Sequence, residues 1–322
     1  MKPAQLWLTG ISSMVLTLTW RGSVATQVPA MHFWRCISGV VSLCLWFYAI
    51  GNLPLATAMY LPPGEIATSI AISEAAFPTI EPTGEIEAAS TSASAVVLAR
   101  NDFFADALTG GPLAAVLNGP MLITYGAPTA LGNTLPSDVD AEIDRLLEPG
   151  DTVYILGGTL AISQAVENLI RAGGYEVERL WAEDQFGTAT QIADEIATLD
   201  PPSAIFEATG YNFPDALSAV PAAIVRDGVI LLTRDNVQAA ETQAWIDDNP
   251  GLTRYTIGGN LVAGGADPGA INVSGQDLFD TSAEVADVFF AIPAEVGIAT
   301  GVTFPDALSG GVFMATGGRF GP

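Results

Sequence analysis

A five-residue segment occurs three times in this chain, as Phe104-Ala105-Asp106-Ala107-Leu108, Phe213-Pro214-Asp215-Ala216-Leu217 and Phe304-Pro305-Asp306-Ala307-Leu308. Each copy follows a short apolar run: Val96-Val97-Leu98-Ala99, Ala204-Ile205-Phe206-Glu207-Ala208 and Val296-Gly297-Ile298-Ala299. The first two copies lead, after a glycine, to a second apolar run, at 121–124 and 229–233. The aspartates recur at intervals of roughly 100 residues, the size of a small domain and too long for a solenoid unit. The chain is therefore a tandem array, and its fold must be one that a single module can adopt.

The pattern within a module is alternation. Strands are expected at about 95–99, 121–124, 152–157 and 175–180, with helices at about 103–118, 136–147, 162–172 and 186–199. Short apolar runs without polar alternation suit strands covered on both faces, and strand–helix alternation with short connections implies parallel sheets. The second module repeats the scheme from 203, with 253–257 and 271–273 as its later strands; the third begins at Glu295 with a strand at about 296–299 and a helix at about 304–316. The expected fold is α/β, built of tandem parallel-sheet modules, two complete and a third truncated after Gly321-Pro322.

Two repeated motifs are candidates for function. Asp106, Asp215 and Asp306 stand near expected helix starts, the latter two three residues after Asn212 and Thr303, where an acidic side chain favours the positive helix end. Pro214 and Pro305 suit a first helical turn. These aspartates either start helices or touch a ligand. The second motif is a strand ending in paired glycines, Gly157-Gly158 after Tyr154-Ile155-Leu156 and Gly258-Gly259 after Tyr255-Thr256-Ile257. Such glycines allow positive φ and close backbone approach. The third glycine of a dinucleotide fingerprint is missing, and there is no Gly-Lys-Ser/Thr phosphate loop, so tight packing is the expected role.

Composition excludes several classes. The net charge is −24, with Lys2 the only lysine, and such a surface repels a nucleic-acid backbone. Both cysteines, Cys36 and Cys44, and the one histidine, His32, lie ahead of the modules. The modules thus hold no disulfide framework, no Cys or His metal site and no histidine-based hydrolase site, and neither catalytic nor metal-binding residues are expected.

Residues 3–20 and 36–61 carry no charge, and the second run is long enough to cross a bilayer. Arg21 and Arg35 between them place that loop inside and everything after residue 61 outside, as one or two hydrophobic helices, a leader or an anchor. Ala56-Thr57-Ala58 offers a small-x-small cleavage site. Residues 62–94, rich in Pro, Glu, Ser, Thr and Ala, read as a disordered linker. The domains are then 1–61, 62–94, 95–202, 203–294 and 295–322.

Residues 96–322 resemble the cell-wall-binding repeat 2 family of surface proteins. The likeness rests on the Phe-x-Asp-Ala-Leu segments, Gly119-Pro120-Met121-Leu122-Ile123, Val153-Tyr154-Ile155-Leu156-Gly157-Gly158, and Asp184-Gln185-Phe186-Gly187-Thr188-Ala189 before a helix. It implies three Rossmann-like modules in a pseudo-threefold unit, and non-covalent attachment to an anionic wall polymer or peptidoglycan-linked glycan outside the membrane. The family's suggested polymer-binding segment maps onto Pro120, Met121, Leu122 and Ile123, and onto Ile230, Leu231 and Leu232. Gln185 and Leu278 stand where the family has arginine, and Val229 where it has proline; with those cations absent, calcium bridging is one route to an anionic polymer. Some relatives join such repeats to an amidase or protease, so a wall enzyme that has lost its catalytic domain is the alternative. Residues 28–61 are similar to the early helices of EamA-type drug/metabolite transporters, which adds a chance fusion with a transporter fragment.

Overall fold

A strand whose residues are all apolar has no polar face to turn to water and must lie between two layers of helix. The computed structural model describes residues 64–78, 93–290, 293 and 296–316, within the unit Leu61–Pro322, and it arranges such strands in two four-stranded sheets. The hydrophobic residues 1–61, with the expected membrane segments and the transporter-like stretch, lie outside the described residues. Among the described residues no helix is long and apolar enough to cross a membrane.

The first sheet holds β1 (Ala95–Arg100), β2 (Met121–Thr124), β3 (Thr152–Leu156) and β4 (Glu176–Leu180) in the order β2-β1-β3-β4. The second holds β5 (Ala204–Thr209), β6 (Gly228–Thr233), β7 (Thr253–Ile257) and β8 (Ile271–Val273) in the order β6-β5-β7-β8. All pairs are parallel, and the registers correspond: Leu98 lies between Leu122 and Ile155, as Glu207 lies between Leu231 and Thr256. Thus the α/β, parallel-sheet expectation holds, and several strands fall at the expected residues.

The helices, in chain order, are α1 (Glu65–Ala76), α2 (Gly110–Val116), α3 (Ser137–Leu146), α4 (Gln164–Ala172) and α5 (Gln185–Leu199), followed by α6 (Pro214–Val225), α7 (Ala240–Asp248), α8 (Ala263–Ala266), α9 (Leu278–Phe289) and α10 (Pro305–Ala315). Helix α1 corrects the linker reading over Glu65–Ala76; residues 79–92 lie outside the described residues. It packs on β2, α3 and α10 and buries Thr68, Ser69, Ile72, Ser73 and Ala76. Three of its five buried residues are Ser or Thr, so its sequence reads as polar linker. One of those hydroxyls meets a sheet edge: the Ile123 amide donates to Ser69 Oγ at 3.1 Å.

Helices α1 and α5 play one role in succession. Helix α1 covers β2 and α5 covers β6, so each lies over the edge strand of the sheet that follows it. The helices that follow the central strands pack in a ring, α2 on α5, α6 on α9 and α10 back on α1, while α2, α6 and α10 meet one another at the centre. The ring closes through the helix that sequence reading left disordered.

At the centre the repeat breaks its own symmetry. Gly111, Val220 and Gly311 occupy the same position, five residues after their aspartates. A Cβ on Gly111 would meet Val220 Cγ1 at 2.5 Å, and one on Gly311 would meet it at 3.2 Å. One valine fills the space that two glycines leave, because three side chains cannot share one axis at normal packing density.

The third module departs from expectation. Residues 296–300 form no strand, and Ile298 is 92% exposed. β1 and β5 are strands because they have neighbours on both sides; this segment has none among the described residues, and an isolated strand gains no hydrogen bonds from being extended. Phe279 on α9 is accordingly 65% exposed, whereas Phe186, its counterpart on α5, is 1% exposed.

Candidate switch-point site

In an open parallel sheet, ligands bind beyond the carboxyl ends of the strands, where the strand order reverses. Here the reversal lies between β1 and β3 and between β5 and β7. The two repeated motifs converge there. Asp106 follows β1 and Gly157 follows β3; a Cβ on Gly157 would stand 2.5 Å from Asp106 Oδ2. The second module repeats the contact, with 2.6 Å between Asp215 Oδ2 and a Cβ on Gly258. Gly157 and Gly258 both have positive φ, 92° and 112°, so both conformation and space require glycine. Close packing is the role these first glycines play. Gly158 instead packs beneath the exposed ring of Trp181, and Gly259 has nothing within 4 Å of a Cβ position.

The aspartates therefore plug their own crevices. Thr188 donates to Asp106, and burial, the larger effect, raises the carboxyl above its ordinary range. Asp215 has no hydrogen-bond partner among the described residues, and burial pushes it up to about 6. Asn212 and Thr303 do not cap these helices. Phe213 and Phe304 stand at the N-cap, because Pro214 and Pro305 begin the helices one residue later than a capping box requires. In the first module Ala105 replaces proline, residues 105–109 form turns closed by Ala107 N–H to Phe104 O (3.0 Å), and α2 starts only at Gly110. Asp306 lines a cleft of about 400 Å³ with Glu65, Asn101 and Phe304, between α1 and the start of α10.

The expected polymer-binding side chains are elsewhere. Pro120, Met121, Leu122, Ile123, Ile230, Leu231 and Leu232 are all buried, in or beside β2 and β6. They cannot touch a polymer as the strands stand; burial on both faces makes them core. Above the strand ends lies a partly exposed rim. Arg100 pairs with Asp102 at 2.6 Å and lies over Phe103. Arg234 pairs with Asp184 (3.0 Å) and Glu241 (3.4 Å), with its guanidinium 4.0 Å from the centre of the Phe186 ring. Tyr211 meets Phe186 edge-on, and both Tyr211 and Phe103 are exposed. Sequence reading did not find this rim, since its members come from segments far apart in the chain. Among the described residues no group of three or more His, Cys, Asp or Glu could hold a metal ion.

The comparisons with known proteins bear on this geometry. The family model described as Cell wall binding domain 2 (CWB2) matches residues 65–167, 179–265 and 272–319. The matched ranges begin near α1, α5 and α9, one helix ahead of the first strand of each module. N-acetylmuramoyl-L-alanine amidase LytC of Bacillus subtilis (strain 168) is 24% identical over 230 residues, covering 70% of this chain and 44% of that protein. Amidase enhancer of the same organism is 33% identical over 138 residues, covering 43% and 18%. Among solved structures, Cwp6 from Clostridium difficile aligns with TM-score 0.67 and 24% identity, covering 79% of this chain and 39% of that one. Cwp8 from the same organism aligns with TM-score 0.65 and 22% identity, covering 80% and 43%. The chain spans less than half the length of each of these relatives.

Proposed function

This chain belongs to the Cell wall binding domain 2 (CWB2) family, and from that membership we propose that it is a non-catalytic module holding to a cell-wall polymer at the cell surface. One observation carries the reading: the family matches three segments, and each contains one Phe-x-Asp-Ala-Leu copy. The plugged switch-point crevices support the non-catalytic part, since Asp106 and Asp215 fill the space in which a Rossmann-like enzyme would seat its ligand. The amidase and amidase enhancer share only part of their length with this chain, so their names supply no activity here.

The polymer, an anionic wall polymer or peptidoglycan-linked glycan, meets the rim above the strand ends and not the buried strand side chains. Arg100 and Arg234 are already engaged by carboxylates. Calcium shared between rim carboxylates and the polymer would supply the missing positive charge.

The test is sedimentation of the purified protein with purified walls, with calcium or with chelator, and analysis of the supernatant. The expected result is co-sedimentation, strengthened by calcium, with no soluble wall fragments. Failure to sediment under either condition overturns the binding reading, and release of fragments overturns the non-catalytic one.

A further inference from the structure

The central strand of the second module carries a glutamate where the first carries leucine. Glu207 has the same register position in β5 as Leu98 in β1, and it is 0% exposed. The exchange is accompanied by others. Arg254 on β7 stands where β3 has Val153, and Gln238, from the loop after β6, donates from Nε2 to Glu207 Oε2. The turn after α8 brings Asp267 within hydrogen-bonding reach of Glu207. Asp267 is held in turn by Arg254, whose Nε lies 3.0 Å from Oδ2. A polar network thus replaces an apolar core at one position of a repeated fold.

The network is incomplete as two carboxylates. Glu207 Oε1 is buried with no hydrogen-bond donor, and Asp267 Oδ2, also buried, has only its ion pair with Arg254. Two ionised carboxylates in contact repel, and orphaned buried acceptors cost free energy. A single proton removes both defects, turning two acceptors into a donor and an acceptor.

We propose that Glu207 and Asp267 form a buried binding site for one exchangeable proton, carried by Glu207 and donated to Asp267, whose loss loosens the sheet of the second module. Arg254 is paired with Asp267, and the proton is assigned to Glu207. The groups around the site agree. Strand β6 offers no ionisable side chain, Glu241 of α7 is engaged by Arg234, and Asp235 accepts from Thr209. Asp267 and Arg254 are the charged groups that face Glu207, and burial, above all, pushes the glutamate up to about 7. The site is independent of wall binding.

The sign follows from linkage. The folded-state value lies above the model value of 4.5, so the stabilisation is complete below that value and is lost as pH rises to about 7. The predicted loss is on the order of 100-fold in the unfolding equilibrium. The experiment is chemical denaturation of the full chain between pH 4.5 and 8.5, for wild type and Glu207→Gln, with hydrogen exchange read at β5. Glutamine donates to Asp267 without titrating, so the variant should match wild type at low pH and lack most of its decline. An infrared band of a protonated carboxylic acid at pH 6 that is weaker in Glu207→Leu than in wild type, the remainder coming from Asp215, gives a reading independent of stability. Identical pH profiles for wild type and Glu207→Gln, or a band of equal intensity in wild type and Glu207→Leu, would overturn the proposal. Recovery of wild-type stability at pH 8.5 on adding calcium would overturn it too, by showing a metal ion as the occupant.

Discussion

The rings of Phe104 and Phe304 meet edge-on at 5.8 Å, although 200 positions separate them in the chain. Phe213 closes the triangle, 5.6 Å from the first and 6.0 Å from the second. All three are the opening residue of the repeated segment, so the repeat's own signature forms the contact among the modules. Aromatic pairs of this geometry contribute about 0.5–1.5 kcal/mol beyond area burial. Phe104→Ala should destabilise the chain by about 2 kcal/mol, less than a fully buried phenylalanine would. A double-mutant cycle with Phe304→Ala, followed by denaturation, should show a coupling of about 1 kcal/mol. Additive effects would mean that the third signature segment is not docked on the first in solution.

The glycine–valine–glycine meeting at the axis makes a sharper demand. Gly111→Val would drive a branched side chain into Val220, and overpacking of this kind costs about 1–3 kcal/mol or more. Pairing it with Val220→Gly restores the total side-chain volume at the axis. The double variant should regain part of the loss in thermal denaturation. No recovery would show that the position is constrained by backbone approach and not by volume.

The first glycines of the paired motifs should be less tolerant than other positive-φ glycines. Gly157→Ala and Gly258→Ala combine left-handed backbone with a carboxylate at 2.5 and 2.6 Å. Gly150 and Gly251 also have positive φ but nothing within 4 Å. Alanine at these two should cost about 1 kcal/mol through backbone strain alone. Alanine at Gly157 or Gly258 should cost about 2–3 kcal/mol, the added part coming from displacement of the aspartate. Equal effects at all four, measured by urea denaturation, would deny that the aspartate contact is close.

Asp215 should make its module more stable in mild acid. Burial raises its folded-state value to about 6 from 3.8, so its contribution is complete below 3.8 and lost as pH rises through 6. Asp215→Asn should flatten the stability curve over that window while leaving stability near pH 4 close to wild type. Subtraction of the variant's curve isolates this group from Glu207, whose decline extends to higher pH.

Residues 296–302 should be the least protected part of the repeats in hydrogen exchange. Val296, Ile298 and Val302 are exposed, and the segment pairs with no strand among the described residues. Helix α10 should exchange more slowly, since Leu308 and Val312 are buried and Ser309 Oγ donates to Met121 O at 2.9 Å. Phe304–Leu308 should still fall below Phe104–Leu108 in protection. Equal protection would show that the third segment is as firmly held as a complete module.

The parts of the fold that depend on near neighbours were legible along the chain. Runs such as Val96-Val97-Leu98-Ala99 and Met121-Leu122-Ile123-Thr124 have no alternating polar face, and that marks them as buried parallel strands. Repetition fixed the modules, and Asp-Ala-Leu and Gly-Gly marked the residues that meet at the switch point. Only the tertiary structure decided what those residues do. That Asp106 plugs against Gly157, and that residues 120–123 are core and not a binding surface, follows from strand order and burial, which no local pattern encodes. Helix α1 was hidden because its buried face carries Thr68, Ser69 and Ser73, which read as polar until Ser69 is seen bonded to Ile123 of β2. Glu207 was visible in the sequence as the one charge in a buried run, but its meaning depends on Asp267, Arg254 and Gln238, which only folding brings to it.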